Sequence, residues 1–119
     1  MNLKKTERRL WLLPNYIGTK HPDAWLPEFY KEKLPHFDLI FCESYRSAET
    51  LLNRQDLPEI ELFEINEHTN WKKVIFDVEQ ILATKNEIGL LSDAGLPCVA
   101  DPGERIVALA HQYQFTIKT

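Results

Sequence analysis

The sequence predicts an α/β fold: a mostly parallel sheet of about five strands with helices on both faces. Short apolar runs alternate along the chain with segments whose apolar residues recur at helical spacing. The apolar runs are continuous, which is typical of parallel strands that are buried on both faces. A length of 119 residues suffices for one hydrophobic core and is short for two domains of usual size, so residues 1–119 are expected to form one domain.

Two strands and two helices are predicted in the first part of the chain. Residues 10–13 and 38–42 are short apolar runs, and Pro14 ends the first of them. Between these strands a proline-bounded segment is expected to hold a short helix at residues 28–33. Ser44 suits the N-cap of the helix that follows the second strand, whose apolar positions are Ala48, Leu51 and Leu52.

The same alternation continues through the middle of the chain. Residues 61–65 are the weaker of two further strand predictions, and residues 88–91 form a short continuous apolar strand. Between them lies the clearest helix, for which Thr69 or Asn70 is the expected N-cap. Its apolar residues recur at the spacing of one helical face: Trp71, Val74, Ile75, Val78, Ile81 and Leu82.

The last predicted helix begins at Asp101-Pro102-Gly103-Glu104. An aspartate at the N-cap, a proline at the first helical position and a glutamate three residues after the cap are typical of a helix start. Asp101 is therefore interpreted as a structural residue. Residues 114–119 form a final strand without a helix after it, from which we expect this sequence to be cut from a longer one.

Charge and hydropathy narrow the possible partners. The formal net charge of −4 does not indicate a broad nucleic-acid surface, although four basic residues gather near the amino end. These are Lys4, Lys5, Arg8 and Arg9. No apolar stretch is long enough for a membrane span, and the amino terminus is charged where a signal peptide is apolar. A cytoplasmic location and no membrane partner are expected.

The cysteines and histidines do not indicate a metal site. Cys42 and Cys98 lie far apart in apolar surroundings without a C-x-x-C spacing, and both are interpreted as small buried residues. The four histidines are scattered singly along the chain. No metal is therefore expected.

Three loops directly follow predicted strands and are expected to line one crevice. In open α/β sheets the ligand lies beyond the carboxyl ends of the strands. The loops are residues 14–19, 43–46 and 92–103, and the second contains a charged pair, Glu43 and Arg46. The third loop holds glycines and prolines that shape the backbone, and it has no side chain typical of a catalyst. No catalytic residue is assigned.

These loops resemble the signature of the tetrapyrrole methylase superfamily. SDAGLP at residues 92–97, followed by DPG at 101–103 before a helix, is similar to its S-D-A-G-T-P and S-D-P-G motifs. LLPNYIGT at residues 12–19 looks like its amino-terminal V-P-T-P-I-G-N. ESYR at 43–46 with LL at 51–52 looks like its E-D-T-R and L-L. The resemblance is closest to the branch that methylates the cytidine ribose 2′-oxygen of small-subunit ribosomal RNA.

The resemblance covers residues 10–118 and implies the amino-terminal domain of a two-domain (class III) methyltransferase. It implies S-adenosyl-L-methionine as cofactor, ribosomal RNA as substrate and a homodimer. The carboxy-terminal domain, which supplies the other wall of the cofactor cleft in the family, is absent from this chain, so the isolated fragment is expected to be inactive. The alternatives are a tetrapyrrole (corrin or porphyrin precursor) C-methyltransferase and a non-catalytic α/β ligand-binding or interaction domain.

The resemblance places the cofactor against the third loop, at Ser92, Asp93, Ala94, Gly95, Leu96, Pro97 and Val99. Gly95 would permit close approach of the adenosyl group, and a plain turn glycine is the alternative. Asp93 either accepts a hydrogen bond from the cofactor or bonds its own backbone. Leu96 departs from the family pattern of aspartate or threonine and offers no polar atom. Methyl transfer from a sulfonium is a direct displacement, so alignment supplies much of the rate without a catalytic side chain.

The resemblance places substrate contacts in the first two loops, at Pro14, Gly18, Glu43 and Arg46. Arg46 would take a phosphate and Glu43 a hydroxyl. The alternative for these two residues is an ordinary ion pair at a strand-to-helix corner. The first loop departs from the family pattern, since Asn15-Tyr16 stands in place of Thr-Pro.

Overall fold

The computed structural model describes residues 7–13, 32, 36–54, 59–91 and 103–118. Of the short helix predicted at 28–33, only Glu32 falls within these residues, and it is helical. The described elements are β1 (Arg9–Leu13), β2 (Leu39–Cys42), α1 (Tyr45–Arg54), β3 (Leu62–Glu64), α2 (Trp71–Thr84), β4 (Glu87–Leu91), α3 (Gly103–Gln112) and β5 (Thr116–Lys118).

The five strands form one sheet in the order β3-β2-β4-β1-β5, and every neighbouring pair is parallel. The central strand is therefore β4, between β1 and β2. Consecutive strands that run parallel in one sheet require crossover connections, and α1, α2 and α3 lie in the three that the structure describes. The predicted α/β class is confirmed.

Each face of the sheet is covered by a separate apolar cluster. The first cluster contains side chains of α1, and its buried members are Trp11, Leu13, Phe37, Ile40, Cys42, Ala48, Leu52, Ile60 and Leu91. The second contains side chains of α2 and α3, and its buried members are Leu10, Leu39, Phe41, Ile65, Val78, Leu82, Ile88, Leu90, Ile106, Ala110 and Phe115. Helices on both faces are thus confirmed.

The alternation within each strand explains the two clusters. Leu39 and Phe41 face α2 and α3, whereas Ile40 and Cys42 face α1. Both faces are apolar, so the run is continuous, as the sequence predicted. Cys42 is buried as expected, whereas Cys98 lies outside the described residues.

Two helix ends were predicted with different success. The Ser47 amide donates to Ser44 Oγ at 3.2 Å, which confirms Ser44 as the N-cap of α1. Asn70 is the N-cap of α2, but its side chain makes no capping bond, and its carbonyl instead accepts from the Lys73 amide. The Thr69 hydroxyl accepts from the Asn66 amide at 2.8 Å, because it closes the turn before the helix.

The final strand begins two residues later than predicted, because a turn ends α3 first. Gln114 has a φ of 64°, the left-handed conformation that often follows a helix. The Phe115 amide donates to the Ala110 carbonyl at 2.9 Å and the Gln114 amide to the His111 carbonyl at 3.0 Å. This pair of bonds is a Schellman motif, from which the chain enters β5 at Thr116.

Arg8 joins the carboxyl ends of two helices to the amino edge of the sheet. Its guanidinium donates to the carbonyls of Leu82 and Lys85 at the end of α2, and to the Tyr113 carbonyl after α3. The guanidinium also lies 4.3 Å from the centre of the Phe115 ring. Burial lowers the pKa of the Arg8 guanidinium from its usual value. Arginine nevertheless remains charged at neutral pH.

Candidate functional site

The carboxyl edge of the sheet brings together the ends of the three central strands. Leu91, the last residue of β4, is in register with Leu13 of β1 on one side and with Cys42 of β2 on the other. Neighbouring strands are about 4.8 Å apart. The segments that follow β1, β2 and β4 therefore start from adjacent positions, as the sequence predicted for its three loops.

A topological switch point lies at this edge, between β2 and β4. After β2 the chain passes to α1 on one face of the sheet, and after β4 it passes to α3 on the other face. Adjacent strands whose connections diverge to opposite faces leave a crevice between them, and ligands of open α/β sheets bind there. The switch point lies between Cys42, at the end of β2, and Leu91, at the end of β4.

The predicted cofactor segment runs between two described elements. It follows β4, whose last residue Leu91 is buried, and it precedes α3, which begins at Gly103. The strand before it and the helix after it are as predicted. The residues assigned to the cofactor lie outside the described residues, and so do Pro14 and Gly18 of the substrate prediction. Their roles stay predictions for Ser92, Asp93, Ala94, Gly95, Leu96, Pro97 and Val99.

Glu43 and Arg46 are the predicted site residues that the structure describes. Glu43 is half-buried directly after β2, and Arg46 is exposed in the first turn of α1. Within the described part of the chain no ion pair joins them, so their placement does not support the alternative of a structural salt bridge. Both residues lie beside the switch point, one directly after β2 and the other in the first turn of α1.

Two hydrogen bonds fix the segment after β2 to the segment after β3. Asn66 Nδ2 donates to the Glu43 carbonyl at 3.2 Å, and the Tyr45 amide donates to Glu64 Oε2 at 3.0 Å. These contacts set the backbone at Glu43 and the start of α1. The contacts of Glu64 and Asn66 with this segment were not predictable from the sequence, because the partner of each lies about twenty residues away.

A local turn holds Asn66 in place. Asn66 Oδ1 accepts from the His68 amide at 2.9 Å, and the Asn66 amide donates to the Thr69 hydroxyl at 2.8 Å. Asparagine often closes such a turn through its own side chain, so this part of the arrangement had a signal in the sequence. The turn orients the side-chain Nδ2 of Asn66 toward the Glu43 carbonyl.

The first turns of α2 and α3 meet at the same edge. The Arg105 guanidinium lies 4.4 Å from the centre of the Trp71 ring. Arg105 is exposed and Trp71 is half-buried against the second cluster. Lys72 and Lys73, beside Trp71, are exposed, and the first turn of α2 contains no acidic residue. Exposed cations therefore lie on the α2 and α3 side of the crevice.

A groove of about 740 Å³ lies elsewhere, between α1 and the outer strand β3. Its lining includes Leu52, Ile60 and Leu62, and its polar part includes three carboxylates: Glu49, Glu59 and Glu61. Carboxylates repel a phosphate, and the central strand β4 contributes no lining residue. The groove is therefore distinct from the crevice at the switch point.

The described residues show neither a metal site nor a membrane-spanning helix. They contain no group of three or more His, Cys, Asp or Glu side chains placed to hold a metal ion. None of the described helices is long and apolar enough to cross a membrane.

The chain is similar to bacterial proteins named "Ribosomal RNA small subunit methyltransferase I". The protein of Streptococcus pyogenes serotype M3 is 28% identical over 114 residues, which is 96% of this chain and 38% of that protein. Those of Mesomycoplasma conjunctivae and Thermotoga maritima are 32% and 35% identical over 75 and 74 residues, about 62% of this chain. The chain spans about a third of the length of these relatives. No protein-family profile matches it.

Proposed function

We propose that this chain is the amino-terminal domain of an S-adenosyl-L-methionine-dependent methyltransferase that acts on ribosomal RNA, at a ribose 2′-oxygen. The observation that carries the proposal is the position of the SDAGLP motif. Residues 92–97 follow Leu91, the residue that ends the central strand at the switch point. The names of the relatives support an RNA substrate over a tetrapyrrole.

The edge of the sheet suits a nucleoside-type cofactor. A switch point offers a crevice whose walls are two diverging backbone segments, and such walls present amides and carbonyls to an adenosyl group. Gly95 would allow close approach of that group, and Leu96 would offer it an apolar contact in place of a polar one. When bound, S-adenosyl-L-methionine supplies a methyl group on a positively charged sulfur.

The chain's own residues would then position the RNA rather than react. Glu43 is half-buried and its backbone is fixed by Asn66, so its carboxylate can accept a hydrogen bond from a ribose hydroxyl. Arg46 is exposed one helical turn away and can take a phosphate. A homodimer and a cytoplasmic location accompany this proposal as predictions from the resemblance.

The test is a methyl-transfer assay on the protein as it is encoded, with any sequence that follows Thr119. Radiolabelled S-adenosyl-L-methionine and small-subunit ribosomal RNA from cells that lack the protein are the substrates. We expect label in one RNA nucleotide whose 3′ phosphodiester bond resists alkaline hydrolysis, because a 2′-O-methyl group blocks attack by that oxygen. Label in a tetrapyrrole precursor instead, or label on a base, would refute the assignment.

The cofactor assignment is tested separately by titration calorimetry. Gly95→Val in the active protein should abolish binding of S-adenosyl-L-methionine while the circular dichroism spectrum is unchanged. Unaltered affinity removes Gly95 from the site. The isolated 119-residue chain should bind the cofactor very weakly, because the family builds its cleft from two domains. Micromolar affinity of this chain alone would contradict the need for a second domain.

A further inference from the structure

Arg105 is a cation that the proposed function leaves without a role. It lies in the first turn of α3, it is exposed, and its guanidinium is stacked 4.4 Å from the centre of the Trp71 ring. Trp71 packs against the apolar cluster beneath α2, so the ring is a fixed support. Stacking on an aromatic face orients the guanidinium plane and leaves its N–H edge free to bind a ligand.

Both helices aim this pair at the carboxyl edge. Arg8 contacts the carbonyls of Leu82 and Lys85 at the end of α2 and of Tyr113 after α3, all at the amino edge of the sheet. The opposite ends of these helices therefore lie at the carboxyl edge. Arg105 is two residues after Gly103, where the chain returns from the predicted cofactor segment. The guanidinium thus lies at the carboxyl edge, on the α2 and α3 side of the switch point.

Apart from the Trp71 ring, Arg105 has no partner among the described residues. Among the described residues its N–H groups make no hydrogen bond or ion pair, although Glu104 is its chain neighbour. Arg9, by contrast, pairs with Glu87 at 3.1 Å. A cation in the first helical turn is opposed by the helix dipole. The helix dipole thus does not favour an arginine here, and the contact with Trp71 offsets that effect.

We propose that Arg105, held by Trp71, binds a phosphate of the RNA substrate beside the nucleotide that is methylated. This inference rests on the proposed function and adds a substrate-positioning residue to it. Planar guanidinium groups bind phosphate through two parallel N–H bonds, and Lys72 lies next to Trp71 as a second cation. Arg105 and Arg46 begin helices on opposite faces of the sheet, so together they grip the RNA backbone from both sides of the switch point.

The carboxylates at the carboxyl edge of the sheet limit the number of RNA phosphates that this surface can bind. Glu64 accepts a hydrogen bond from the Tyr45 amide, and Glu67 lies 3.5 Å from His68 in a contact between two exposed side chains. Glu104 remains beside Arg105. With a net charge of −4, the chain offers no broad electrostatic attraction. A small number of oriented contacts is the binding mode that fits this charge distribution.

The test compares charge-matched variants of the methyl-transferring protein in RNA binding over a series of salt concentrations. Arg105→Gln should weaken binding about threefold to tenfold at low salt and reduce the slope of log K against log salt by about 0.7, the value for one phosphate contact on a single strand. Arg105→Lys should keep the slope and lose part of the affinity, because lysine lacks the stacked, two-bond geometry.

Lys85→Gln is the control, since it removes the same charge at the opposite end of α2. It should leave affinity and slope unchanged. Equal effects of Arg105→Gln and Lys85→Gln would overturn the inference, and so would a fall in S-adenosyl-L-methionine affinity with RNA affinity intact. These outcomes are compared with those of the wild-type protein, which must bind and methylate RNA. If the wild-type protein neither binds nor methylates RNA, the proposed function is refuted, and the inference about Arg105 with it.

Discussion

Replacing Arg8 with methionine should loosen the attachment of two helices to the amino edge of the sheet. Methionine keeps much of the apolar stem but has no N–H donor. The substitution removes the bonds to the carbonyls of Leu82, Lys85 and Tyr113 and the contact with the Phe115 ring. These carbonyls lie at helix ends, where the helix has no amide of its own to offer them.

The expected loss is about 2 kcal/mol of unfolding free energy, and at most about 2.6 kcal/mol. A hydrogen bond to a charged group contributes about 1.5–3 kcal/mol when buried. Arg8 is only half-buried, and water can replace part of each bond, so about 0.7 kcal/mol for each of three carbonyls is reasonable. The cation on the Phe115 ring adds about 0.5 kcal/mol. Because one side chain makes all these contacts, they are lost together and their sum is an upper value.

Urea unfolding followed by circular dichroism measures this loss. Arg9→Met is the matched control, because Arg9 is the next residue and forms a more exposed pair with Glu87, worth at most about 1 kcal/mol. Arg8→Lys keeps the charge and at most part of the bonding, so it should fall between wild type and Arg8→Met. A loss below about 0.5 kcal/mol for Arg8→Met, or equal losses for the two methionine variants, would refute this account of the amino edge.

Two backbone positions give stability predictions of opposite sign, both measurable by urea unfolding. Gly89→Ala should lower the free energy of unfolding by about 1–3 kcal/mol. The added Cβ would lie 2.8 Å from Leu13 Cδ1 and 2.9 Å from Phe37 Cε2, and both of these side chains are buried. An unchanged stability would show that the two side chains move aside without cost. Gln114→Gly should raise the free energy of unfolding by up to about 1 kcal/mol, since glycine adopts the left-handed φ of 64° without steric cost. A loss of stability would contradict this reasoning. Gln112→Gly, within α3, is the control and should be destabilising.

Most of the fold could be predicted from the sequence, because its local patterns agree with the tertiary packing. The continuous run at residues 38–42 predicted a strand buried on both faces, and Ile40 and Phe41 indeed pack into different clusters. Ser44 capped its helix as predicted, because the bond spans only three residues. Signals of this kind lie within one turn or one strand and need no knowledge of the tertiary structure.

Contacts between distant segments were not predictable in the same way. In the sequence Arg8 is only one of four basic residues near the amino end, and its hydrogen-bond partners lie more than 70 residues further along the chain. The order of the strands in the sheet was not predictable from the sequence either, because β4 lies between β1 and β2 although it follows both in the chain. The crevice was predicted from the general rule for open α/β sheets, whereas its ligand depended on a family resemblance. The register of Leu91 with Leu13 and Cys42 supplies a geometric reason for the location of the crevice.

Two stacked arginines mark the two edges of the sheet, and their surroundings explain their different roles. Arg8 lies over Phe115 with its N–H groups bonded to helix carbonyls, so its binding capacity is used within the fold. Arg105 lies over Trp71 with no such bonds among the described residues, and its binding capacity remains available. Because the dipoles of α2 and α3 favour a cation at the amino edge and oppose one at the carboxyl edge, only Arg8 stabilises the helix ends. A ligand with negative charge offsets that opposition at Arg105, which is why the RNA backbone is the partner we expect there.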